Sequence, residues 1–269
     1  MKLTDLHIHT NLSPDGKGDP QQHYNRAVEL GLSVIAFTDH LDYETYNKDF
    51  DKKIIIKRIN ETLAQIQTGD KCKLIRGVEL GYQEEFHETI DIELELLENL
   101  DFMIGSLHEI DGLGFSGSSS YKKYFDKHRR KSFGVYFDSL SGFAERGSFD
   151  VIGHFDIVKR FSILEGYNYK SSEYKNIICD ILDVIIGRSK GIEINCSGLF
   201  QSPEDTFPDM KTVEWFFERG GEHLTIGSDS HKPEHISRGI KVVIERLQEM
   251  GINSVSIFEN RKPKKYNLI

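Results

Sequence analysis

At 269 residues the chain lies near the upper limit of what one hydrophobic core organises, so it holds one barrel-sized domain or two smaller ones. Hydrophobic residues at 38%, aromatics at 11% and charged residues at 29% exclude disordered, collagenous, coiled-coil and mucin-like chains. The 34 Lys and Arg against 43 Asp and Glu leave a formal charge of −9, which disfavours nucleic acid and anionic membrane as partners.

Leu3 to His9 alternates in polarity and predicts the first strand. Asp19 caps a helix that begins with Pro20 and closes at Gly31. Val34 to Phe37 predicts a second, buried strand, and Ile54 to Ile66 a second helix. The third strand falls at Leu74 to Leu80, a helix at Glu84 to Leu100 and the fourth strand at Phe102 to Leu107. Asp111 to Ser120, rich in Gly and Ser, predicts a mobile loop. Strands at Val151 to Gly153, Ile192 to Asn195 and Leu224 to Gly227 then alternate with helices at Tyr174 to Ile186, Met210 to Arg219 and Pro233 to Met250. Val255 to Phe258 reads as a late short strand, and the basic run Arg261 to Lys265 as a solvated terminus.

About seven strand and helix units imply a parallel sheet closed, or nearly closed, into one α/β barrel spanning residues 1–269. An open doubly wound sheet is the alternative. Cys72, Cys179 and Cys196 are odd in number and form no CxxC, so neither a disulfide framework nor a thiolate zinc knot is expected. With no apolar leader and no run of about 18 apolar residues, the expectation is a soluble protein in a reducing cytoplasm.

Six of the eleven histidines stand at or just after the C-terminal ends of predicted strands, the face where barrel enzymes carry their chemistry. His7 and His9 alternate on one strand, so their imidazoles share a face about 6.6 Å apart along the backbone and can grip one ion. The following strands end at Thr38-Asp39-His40, Gly77-Val78-Glu79, Leu107-His108, Gly153-His154 and Gly227-Ser228-Asp229-Ser230-His231, while the loop after the first strand offers Asp15. Imidazole and carboxylate without thiolate suit Mn, Fe or Zn in an open catalytic site, and more than four ligands imply more than one ion. His23, His87, His128, His223 and His235 lie in helices or before strands and read as surface or packing residues, and Cys196 as a small hydrophobe.

This ordered set, from His7-x-His9 to Asp229-Ser230-His231, resembles the PHP (polymerase and histidinol phosphatase) superfamily. Ile152-Gly153-His154-Phe155-Asp156 and Glu193-Ile194-Asn195-Cys196-Ser197-Gly198-Leu199 resemble its histidinol-phosphate phosphatase branch. The resemblance implies a distorted (β/α)7 barrel with three divalent metal ions, Mn, Zn or Fe. It places His7, His9, Glu79 and Asp229 on one ion, with Glu79 bridging to a second completed by His108 and His154. Asp15, His40 and His231 take the third. Among these, Glu79, Asp229 and His231 would be catalytic, His231 as a candidate proton donor, in phosphomonoester hydrolysis by a metal-activated hydroxide.

Arg160, six residues past His154, could clamp phosphate bidentately, the alternative being a surface arginine beside Lys159. Asp39 would orient a ligand rather than be one. The implied activity is hydrolysis of L-histidinol phosphate to L-histidinol and inorganic phosphate, with a small phosphate ester as partner and neither nucleic acid nor membrane. A PHP phosphoesterase acting on nucleotides, an amidohydrolase-like barrel and a non-catalytic metal scaffold are the competing readings. An amidohydrolase usually offers a bridging lysine, and no lysine ends a strand here.

Overall fold

The computed structural model describes residues 2–43, 52–115 and 117–268. Strand β1 (Leu3–Ile8) leads through Asp19, whose carboxylate accepts from Gln21 N at 2.8 Å, into helix α1 (Pro20–Glu29). Strand β2 (Leu32–Asp42), helix α2 (Lys52–Ala64), strand β3 (Lys73–Gly81), helix α3 (His87–Leu94) and strand β4 (Phe102–Ser106) continue the alternation. A hairpin of β5 (Glu109–Ile110) and β6 (Leu113–Gly114) precedes helices α4 (Ser118–His128) and α5 (Ser132–Arg146). Then come β7 (Val151–Ile152), α6 (Lys175–Gly187), β8 (Gly191–Asn195), α7 (Met210–Glu218), β9 (Leu224–Gly227) and α8 (Ile240–Glu249). Antiparallel strands β10 (Ser254–Glu259) and β11 (Lys262–Asn267) complete the order.

The main sheet runs β1-β2-β3-β4-β7-β8-β9 with every pair parallel. Its two ends meet, since Asp229 N donates to His7 O at 2.9 Å and His9 N to Ser230 O at 2.8 Å. The result is a nearly closed seven-stranded barrel with helices outside, and the open doubly wound alternative is set aside. No helix among the described residues is long and apolar enough to cross a membrane.

Inward and outward positions alternate along each strand. Ile35, Phe37, Val78, Leu80 and Met103 face the helices in the larger core cluster, while Val34, Ala36, Ile75, Phe102, Ile104 and Val151 fill the barrel interior. β1 departs from strict alternation: its register against β2 shifts between Asp5 and Ile8, so Leu6 joins the interior cluster and Ile8 the outer one. This bulge sets His7 above Leu6 and turns the period-two pattern into a step at the level where the site begins.

Four predicted segments are corrected. Asp111–Ser120 is not one loop: β6 and the first turn of α4 fall within it, and Ser116 lies outside the described residues. The α4–α5 excursion buries Tyr121, Tyr124, Phe125, Phe133, Tyr136 and Phe137 at helical spacing, a pattern present in the sequence after the glycines end. Arg261–Lys265 is not a free tail, because it forms most of β11, with Lys264 paired to Glu259 and Arg261 Nε to Asp150 Oδ2. The spans predicted at Glu84–Leu100 and Pro233–Met250 shrink to α3 and α8, each preceded by a 3-10 turn. α8 starts only after Gly239, whose φ of 84° breaks the helix.

Candidate metal centre

The C-terminal rim of the barrel surrounds a cavity of about 280 Å³ that Asp15, His40, Glu79, His108, His154, Asp229, His231 and Arg160 line together, with His7 and His9 buried beneath it. All the ligand-type residues singled out in the sequence thus converge. Glu79 is the hub. Its Oε2 lies 3.3 Å from His7 Nε2, 3.4 Å from His9 Nε2 and 3.0 Å from His40 Nδ1, and its Oε1 lies 3.2 Å from His108 Nε2 and 2.8 Å from His154 Nε2. Asp229 Oδ1 sits 3.4 Å from His9 Nε2, while Asp15 reaches His231 Nε2 at 3.2 Å and His40 Nε2 at 3.6 Å. The His9 ring stacks on both His40 and His231, with ring centres 4.2 Å apart in each pair.

Three overlapping sets offer ligand atoms within 4.8 Å of one another: His7, His9 and Glu79; His9, His40 and His231; His40, Glu79 and His108. Whether they fit cations follows from the tautomers. Ionised carboxylates only accept, so His7 Nδ1 donates to Glu193 Oε1 at 2.6 Å and His108 Nδ1 to Asp42 Oδ1 at 2.9 Å. Both rings therefore present an Nε2 lone pair to the cavity. Imidazole nitrogens also face each other at 3.0 Å (His7 with His9) and 3.3 Å (His108 with His154), a crowding of lone pairs that a shared cation relieves. The donor set fits divalent ions of the Mn, Fe and Zn type.

Without ions, protons fill the same role. Burial opposes ionisation of Glu79, but His7, His108 and His40 around it prevail and hold it well below the carboxylate range. Asp229 is held low in the same way by His7 and His9. Burial likewise opposes charge on His7 and His108, yet Glu193 and Glu79 beside the first, and Asp42 and Glu79 beside the second, raise both well above an ordinary imidazole. His9, buried and beside His40, is pushed down to about 3 and stays neutral.

Local structure supports this placement. His154 and Asp229 have φ of 24° and 55°, a region that residues other than glycine enter at a cost and that clusters at functional sites. His154 N is held by Glu193 Oε2 at 3.0 Å. Asp229 follows Ser228, whose N and Oγ are latched by the buried Asp5 at 2.8 and 2.6 Å. Asp39 acts as expected: its carboxylate accepts from Thr10 N at 2.7 Å and Ser13 Oγ at 2.7 Å, and Ser13 Oγ faces His9 Nδ1 at 3.1 Å.

Two carboxylates escaped the sequence reading. Asp42 shares its strand face with His40, and Glu193 is a lone acid inside the apolar strand Gly191–Asn195. Period-two alternation could have flagged both. Glu193 reaches His7 because Gly227 has no Cβ; one there would strike both His7 and Glu193.

Arg160 is mostly buried and lines the cavity, so it is no surface arginine. Cys196 is buried as a hydrophobe and lies against Gly239. His23 packs edge-on against Phe37, and His128 against Tyr124, while the His87 side chain lies outside those described. No lysine lines the cavity among the described residues, which removes the expected bridge of an amidohydrolase.

The PHP domain model matches residues 5–197. The chain belongs to the PHP domain family. A histidinol-phosphatase of Lactococcus lactis is 28% identical over 97% of this chain and 96% of its own. A probable histidinol-phosphatase of Deinococcus radiodurans is 26% identical over 97% and 98%. The crystal structure of the Lactococcus lactis histidinol phosphate phosphatase with zinc, L-histidinol and phosphate superposes with a TM-score of 0.82 at 24% identity, covering 98% of this chain and 99% of that one. A putative histidinol phosphatase of Listeria monocytogenes gives 0.73 at 18% identity, over 89% and 99%. The two solved structures share this chain's fold over 98% and 89% of its length.

Proposed function

We propose that this PHP chain is a histidinol-phosphatase, a hydrolase that converts L-histidinol phosphate to L-histidinol and inorganic phosphate. One observation carries the reading: overlapping ligand sets converge on Glu79 beside an arginine whose guanidinium reaches the same cavity. The names of the full-length relatives support the choice of substrate. Three divalent ions, Mn, Zn or Fe, would be held as follows: His7, His9, Glu79 and Asp229 on the first, Glu79, His108 and His154 on the second, and Asp15, His40 and His231 on the third. When bound, such ions neutralise phosphate oxygens and let water attack phosphorus near neutral pH.

The chain's own residues do the rest. Arg160 clamps phosphate oxygens through its forked N–H groups. Glu193 and Asp42 keep His7 and His108 in the tautomer that aims Nε2 inward. His231, 31% exposed and between Asp15 and Asp229, stands at the solvent-facing side of the set, where it would hold the third ion. The substrate is a small phosphate ester, with neither nucleic acid nor membrane as partner, and three buried, unpaired cysteines suit a cytoplasmic setting.

The test is phosphate release from L-histidinol phosphate beside mononucleotides and sugar phosphates, with metal content measured on the same sample. Strong preference for histidinol phosphate with two to three ions per chain is expected. Preference for nucleotides, or a flat profile, would overturn the substrate, and absence of turnover with ions bound would overturn the enzyme reading.

A further inference from the structure

Arg160 is held differently from every other charged group in the cavity. Its Nε is buried without a hydrogen-bond partner, and its ion pair is long, Nη2 to Asp229 Oδ2 at 4.0 Å. What holds it is a ring, with Cζ 5.6 Å from the centre of Phe207. An aromatic face attracts a cation without consuming N–H donors. The donors that a carboxylate would occupy therefore stay open toward an incoming anion.

Phe207 is itself fixed. Its N and O pair with Asn195 O and N at 3.0 and 2.8 Å, joining the loop after β8 to the end of that strand. Lys159, adjacent to Arg160 and almost fully buried, donates to Thr206 O at 2.7 Å, pairs with Asp156 Oδ2 at 2.9 Å and lies 5.4 Å from the Phe207 ring. A buried ammonium is costly even when paired, so an apolar residue would serve packing better.

We propose that Phe207 and Lys159 are positioning residues: Lys159 ties the loop after β7 to the loop after β8, and Phe207 carries Arg160 with its donors unspent for phosphate oxygens. The inference rests on Arg160 binding phosphate in the reading above.

The experiment measures binding of inorganic phosphate to the metal-loaded full chain by calorimetry, with KM and kcat for L-histidinol phosphate and bound metal alongside. The variants are Phe207→Leu, Lys159→Met and Arg160→Ala, and each of the first two combined with Arg160→Ala. Phe207→Leu and Lys159→Met are expected to weaken phosphate binding about ten-fold, the scale of one charge-assisted hydrogen bond, and to raise KM more than they lower kcat at unchanged metal content. In the Arg160→Ala background they should add nothing further, because their effect passes through that side chain. Unchanged phosphate affinity in Phe207→Leu, or equal losses in both backgrounds, would overturn the proposal. Should Lys159→Met be insoluble, Phe207→Leu alone decides. Phosphate binding is read directly, so failure to turn over histidinol phosphate would refute the substrate and leave this test standing. An Arg160→Ala chain that binds phosphate normally would refute the role of Arg160 and this inference with it.

Discussion

The two ends of the barrel interior solve opposite problems. At the N-terminal end, Leu6, Val34, Ala36, Ile75, Phe102, Ile104 and Val151 meet Ile257 and Phe258 of the β10–β11 hairpin, and Phe258 stacks on Phe102 at 4.9 Å between ring centres. At the C-terminal end the same strands and the loops after them present Glu79, Glu193 and six imidazoles, from fully buried His7 and His9 to partly exposed His231. The first end is held by apolar area removed from water. The second gathers carboxylates and imidazoles whose charges packing alone does not stabilise, so each must be paired within the cluster or by a bound cation. The barrel can tolerate such a cluster because its opposite end is plugged by an element outside the sheet.

The sharpest way to break this contrast is Glu79→Ala. It removes the carboxylate that five of the imidazoles approach, so phosphate release should fall by about 10³-fold, with ions lost in parallel by metal analysis. A variant of near-normal activity would sink the assignment of the rim. At the other end, Phe258→Ala should cost about 3 kcal/mol and lower Tm by roughly 6–12 °C, with metal content and KM unchanged. Loss of metal in that variant would show that the two ends are not independent.

Glu193, bonded to His7 and His154 at the C-terminal end, sharpens the contrast. Glu193→Gln preserves volume but weakens the carboxylate contact to His7, so metal affinity should drop about 10- to 100-fold while Tm moves little, as read by competition with a chelating dye. The smallest effect is expected from Arg261→Ala. That side chain tethers the hairpin to Asp150, which keeps Lys190 at 3.5 Å, so the cost should be about 1 kcal/mol by denaturant melt with kcat untouched.

Much of the site was legible because it depends on local rules. His7 and His9 share a face by strand periodicity, and Asp15, His40, Glu79, His108, His154, Asp229 and His231 each follow a strand whose direction a strand and helix repeat dictates. The helices α4 and α5 were missed because the glycines and serines before them suggest a loop, although their aromatic spacing is helical. The tail was misread because exposed lysines look the same in solvent and on the edge of a hairpin.

By itself, the order of residues determined the barrel's alternating strands and most of its helices, the face on which the imidazoles gather and the absence of thiolate from their set. The tertiary structure decided what depends on neighbours distant in sequence. Glu193 meets His7 because Gly227 on the adjoining strand leaves it room, and Arg160 in the loop after β7 lies over Phe207 from the loop after β8. Such contacts arise from register and close approach between strands, and a one-dimensional pattern holds no measure of either.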